Sequence, residues 1–119
     1  MPIRLIDPKK EFEIEISGTK FFVRQLNGAQ KARLMQSFRS VGLDPEMPKK
    51  AAGDKIMEAL PSMKPILSES LIKMESDDKY LASLSGVDIL DRIAEPLDYM
   101  MLAMEILNIS NLNEGEKKN

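Results

Sequence analysis

Residues 11–24, EFEIEISGTKFFVR, constrain the fold more than any other stretch. Phe12, Ile14 and Ile16 alternate with Glu11, Glu13 and Glu15, the period-2 pattern of a half-buried strand. Ser17-Gly18 is a turn signal. With those residues as the loop, Ile16 faces Thr19, Ile14 faces Phe21 and Phe12 faces Val23. On the other face Glu15 meets Lys20 and Glu11 meets Arg24. Apolar residues then pair with apolar ones and acids with bases, and a one-residue slip loses both agreements at once. Phe22 and Leu26 are left on the charged face, where they are either covered by a later element or presented to a partner.

The hairpin runs straight into a helix. Asn27 is a favourable N-cap and Gln30 stands where a capping box requires it. Leu34, Phe38 and Val41 fall on one stripe flanked by Met35, and Gly42 is a stop, which predicts a helix over 28–41. Residues 43–54 read as a loop. Asp54 then caps a short helix holding Ile56, Met57 and Leu60. Pro61 and Pro65 break the pattern, and Pro65 starts a further helix whose apolar side is Ile66, Leu67, Leu71, Ile72 and Met74. Tyr80, Leu81 and Leu84 suggest another helical turn. Ser85 and Asp88 have capping-box spacing, with Val87, Leu90, Ile93 and Ala94 on one side of the helix they open. Pro96 forces a break near Glu95 and begins a last helix over 96–107. The fold class is α+β, mostly α: an N-terminal β-hairpin followed by four to five short helices. It forms a single domain over 1–110 with a flexible polar tail over 111–119. A chain of 119 residues buries about 65% of its unfolded surface, enough for one modest core.

Composition narrows the chemistry. The chain has no Cys, which excludes disulfides and thiolate metal sites and fits the cytosol best. It has no His, the commonest general base and metal ligand. No apolar run approaches the roughly 20 residues of a bilayer span, and the N-terminal residues lack the apolar core of a secretory signal. A net charge of -2 argues against non-specific nucleic-acid binding, although Lys31, Arg33 and Arg39 decorate the first helix. Glu75, Asp77 and Asp78 lack the spacing and glycine of a calcium loop. Asp88, Asp91, Glu95 and Asp98 lie where helix starts favour acids. No nucleophile, base and orienter assemble, so no enzyme, cofactor or metal is expected.

Methionine is the compositional oddity. Met100, Met101 and Met104 cluster in the last helix, and methionine-rich surfaces suit binders that accommodate varied partners. Consecutive helical residues point ~100° apart, so Met100 and Met101 cannot both face the core squarely. The candidate partner-binding residues are therefore Phe22, Leu26, Met100, Met101 and Met104.

The order of these signals resembles the tail assembly chaperones of long-tailed (siphovirus-type) bacteriophages. The resemblance rests on the hairpin's passage into the first helix through Val23, Arg24, Leu26, Asn27, Gly28 and Gln30, and on the apolar last helix MLAMEILNIS. It implies a non-enzymatic protein of the host cytoplasm that binds the tape measure protein, helps bring tail tube subunits to it, and self-associates. It also implies a form extended by frameshifting, for which Lys117-Lys118 is the place to look. Competing expectations are a structural tail component of the virion and a small nucleic-acid-binding regulator using Lys31, Arg33 and Arg39.

Overall fold

A computed structural model describes residues 3–112. Strands β1 (Phe12–Ile16) and β2 (Thr19–Val23) form the hairpin, with Ile14 opposite Phe21 and Glu15 opposite Lys20 as the pattern predicts. Ser17 (φ 50°) and Gly18 (φ 83°) make the loop, both in the left-handed region that two-residue hairpin turns use because it matches strand twist. The ion pair on the open face is diagonal: Lys20 Nζ lies 3.9 Å from Glu13 Oε2. Helix α1 (Gly28–Ser40) starts with the expected capping box, in which Asn27 Oδ1 accepts from Gln30 N at 2.8 Å and Gln30 Oε1 from Asn27 N at 2.9 Å. A short 3-10 turn (Pro48–Lys50) interrupts the loop that follows.

Helix α2 (Gly53–Ser70) corrects the expectation of two short helices, because it runs through both Pro61 and Pro65. Each proline deprives the carbonyl four residues earlier of its donor. Those carbonyls belong to Met57 and Pro61, on the stripe formed by Met57, Pro61 and Pro65, and all three residues are exposed. On an exposed stripe such carbonyls can turn to solvent for a donor. The opposite stripe, Ile56, Ala59, Met63, Ile66 and Leu67, is buried and holds the helix together by packing.

The helix expected to continue past Ser70 becomes β3 (Leu71–Met74), which pairs antiparallel with β2 in a sheet ordered β1-β2-β3. The switch sits at Ser70, which is buried. Its hydroxyl donates to the Arg24 carbonyl at 2.5 Å, and its own carbonyl accepts from Arg24 N at 2.8 Å. These bonds replace the next helical turn with the first rung of a ladder. The register shifts between Phe22 and Val23, leaving Ile72 as a bulge residue.

Helices α3 (Lys79–Ala82), α4 (Gly86–Leu90) and α5 (Pro96–Ser110) complete the described chain. Asp78 caps α3, its Oδ1 accepting from Tyr80 N at 2.8 Å. The capping box expected at Ser85 and Asp88 does not form. Ser85 makes no side-chain cap, and Gly86 enters α4 at φ 46°, which departs from the regular geometry such a box needs. Helix α5 begins at Pro96 as expected but extends three residues beyond Leu107, to Ser110.

Side chains distant in sequence dress the end of α5. Arg4 Nη2 donates to the carbonyls of Ser110 (2.7 Å) and Leu112 (2.5 Å), and Gln25 Nε2 to that of Ile109 (2.7 Å). Lys31 Nζ reaches Asn111 Oδ1 at 3.1 Å. A helix leaves its last carbonyls unpaired and negative, and these donors answer both needs. Asn111 and Leu112 therefore belong to the folded unit, not to the polar tail. Residues 113–119, including Lys117 and Lys118, lie outside the described residues. Among the described residues no helix is long and apolar enough to cross a membrane.

Candidate functional site

The five residues singled out from the sequence do not form one surface. Leu26 is 1% exposed and Met100 0% exposed, so both leave the candidate set. The Leu26 side chain packs in the core cluster, and its N–H donates to the buried Ser110 hydroxyl at 2.8 Å, which itself donates to Ile106 O at 2.6 Å. Met100 falls on the stripe of α5 that faces the core with Ala103, Ile106 and Leu107. Phe22 stays half-buried on the open face of the sheet, between Glu13 and Lys73. Lys73 Nζ stands 5.1 Å from its ring centroid, a cation-π contact that covers part of the ring. Met101 and Met104 are half-buried at the edge of the core. Strand alternation puts Phe22 on the sheet face opposite Ile16, and Ile16 borders the same depression as Met101.

The structure gathers a different group around the first turns of α5. A depression of about 340 Å³ opens between the inner face of the sheet and helices α3 to α5. Its floor is apolar, with Ile16, Phe21, Met74, Leu81, Ile93 and Leu102, and Arg92 and Asp98 stand at its rim. A second depression of about 310 Å³ adjoins it, sharing Ile16, Ser17 and Asp98. Leu97 and Met101 line this one, and Glu15, Glu105 and Lys49 border it. Where the two meet, Ser17 Oγ donates to Asp98 Oδ1 at 2.8 Å. This bond ties the hairpin loop to the start of α5 and fixes the shared wall.

Local sequence explains the exposure. Leu97, Met101 and Met104 are spaced i, i+4, i+7 and occupy one side of α5, while Tyr99, Leu102, Ala103, Ile106 and Ile109 fill the core side. Leu97 is 40% exposed. A helical projection of residues 96–110 would have found this stripe, but treating the methionines as one cluster hid it. Arg92 is held in place by Tyr80: its Nη2 donates to the phenol, and its guanidinium carbon lies 5.0 Å from the ring centroid. Close by, Lys64 donates to Asp91, and this hydrogen bond raises the lysine above its ordinary pKa. Burial raises the pKa of Tyr99.

The arrangement has the chemistry of contact, with apolar depressions and a charged rim. Among the described residues no group of three His, Cys, Asp or Glu side chains is placed to hold a metal ion. No family model matches the chain, and neither curated proteins nor solved structures give a match.

Proposed function

We propose that this chain is a tail assembly chaperone of a long-tailed bacteriophage. It binds the tape measure protein in the host bacterial cytoplasm and helps bring tail tube subunits to it, without catalysis. The observation that carries this reading is the pair of apolar depressions beside α5, where Leu97 and Met101 keep solvent-facing surface that the fold does not use. The passage from hairpin to helix through Val23, Asn27 and Gln30 supports it, since these residues carry the resemblance; Val23 ends β2, and Asn27 and Gln30 cap α1.

The test is co-expression with a candidate tape measure protein, a long heptad-rich chain to be sought in the DNA flanking this gene. A soluble complex that survives gel filtration, and is lost with Leu97→Asp plus Met101→Asp while the variant keeps its melting temperature, supports the reading. Recovery of the chain in purified particles would move it to the structural components of the virion.

A further inference from the structure

We propose that the double depression beside α5 takes a basic amphipathic helix, with apolar side chains in the two depressions and Lys or Arg residues against the rim. The inference rests on reading this surface as the partner site and adds the partner's chemistry.

Charge complementarity specifies the occupant. Glu15, Asp98 and Glu105 border the depression that Leu97 and Met101 line, with Lys49 beside them; Lys20 stands opposite Glu15 in the strand register and makes its ion pair with Glu13. Asp98 accepts from the Ser17 hydroxyl, which leaves its charge in place. The cation at the neighbouring rim, Arg92, is already engaged with the Tyr80 ring and phenol. An acidic helix brought here meets like charge beside a low-dielectric apolar floor, whereas a basic one gains an attractive partner on each side of its apolar stripe. A helix suits the site because one apolar stripe can seat side chains in two adjoining depressions, as in the i, i+3, i+4 anchoring of helix-in-groove recognition. Half-buried Met101 can adjust its rotamer to the anchor it meets.

The experiment uses the full chain and synthetic peptides with one Leu/Met stripe in three forms: a Lys-flanked helix, a Glu-flanked helix, and the Lys form interrupted by two prolines. Affinities are read by fluorescence anisotropy at low and moderate salt. The Lys helix should bind at least tenfold more tightly than the Glu helix, weaken as salt rises, and lose its binding with the prolines. Glu15→Lys with Glu105→Lys should reverse the Lys/Glu preference. Glu58→Lys with Glu69→Lys, which alters net charge equally at exposed sites off the depressions, should leave it in place. Glu15→Gln with Glu105→Gln gives the same answer at about a fivefold loss if the reversal variant does not fold. Equal binding of Lys and Glu peptides, an equal response to both variant pairs, or no binding at all overturns the charge assignment. Undiminished binding of the proline form overturns the helix, and self-association that blocks the peptide makes a second copy the occupant. If the tape measure protein is captured regardless of rim charge, this inference fails while the chaperone reading stands. If the Lys helix binds as described but no tape measure complex forms, the reverse holds.

Discussion

The phenol of Tyr99 donates to the carbonyl of Leu90 at 2.6 Å, with Ile93 O at 3.3 Å as a second acceptor. The bond closes the end of α4 against the first turn of α5, and so holds the wall from which Leu97 and Met101 project. Tyr99→Phe keeps the ring and removes the shorter of two bonds to the Leu90 carbonyl, which retains the one from Ile93 N at 3.3 Å. It should cost about 1 kcal/mol and lower Tm by about 4 °C. Thermal unfolding checks this, and an unchanged Tm would mean that water replaces the phenol.

Alkaline pH should weaken the fold. Burial raises Tyr99 above its ordinary 10.0, and the hydrogen bond to Asp91 raises Lys64 above its ordinary 10.5. Each group holds its proton more tightly folded than unfolded. The stability it contributes is complete below the unfolded pKa and is lost as pH rises through the folded one. Urea midpoints should stay level up to about pH 9.5 and fall above about pH 10. The fall should be shallower in Tyr99→Phe, which removes one of the two groups.

Pro61→Ala should stabilise the chain. The substitution restores an N–H donor for the Met57 carbonyl in the middle of α2 and removes a ring from an exposed position. A proline inside a helix costs about 3 kcal/mol relative to alanine, offset by about 1 kcal/mol of lost unfolded-state restriction. A net gain of about 1–2 kcal/mol is expected from urea unfolding. A lower midpoint would show that α2 needs a bend at Pro61 to follow the core.

Leu26→Ala and Met100→Ala should each cost about 2–5 kcal/mol, as truncations inside a packed core do. Leu97→Ser, on a partly solvent-facing position, should stay within about 0.5 kcal/mol. Met101→Asp should reduce partner capture more than it lowers Tm. The comparison checks that the binding surface lies on the 97/101 side of α5 and not at Leu26 or Met100.

Gly18→Ala should cost about 1–2 kcal/mol. No atom stands within 4 Å of the added methyl, so space is not at issue; the cost comes from φ 83°, which alanine disfavours. Chemical denaturation measures it. A value near zero would mean that the loop changes turn type at little cost, and the Ser17–Asp98 bond would then be lost.

What the sequence determined by itself was local. The register of β1 on β2 followed from two faces agreeing, the start of α1 from Asn27 and Gln30, and the start of α5 from Pro96, because each depends on residues within a few positions of one another. What the tertiary structure decided were the outcomes that need a distant partner. Ser70 ends α2 because Arg24, 46 positions away, offers both a donor and an acceptor. Pro61 and Pro65 stay helical because burial of Ile56, Met63 and Leu67 outweighs the hydrogen bonds they delete on the wet side. Leu26 is buried in the core cluster, where Ser110, 84 residues on, receives its N–H. The surface proposed for a partner, Leu97 and Met101 beside Glu15 and Glu105, is what the hairpin loop and α5 leave uncovered when Ser17 meets Asp98. Chain pattern records which side chains are apolar, but only packing determines which of them keep surface in solvent.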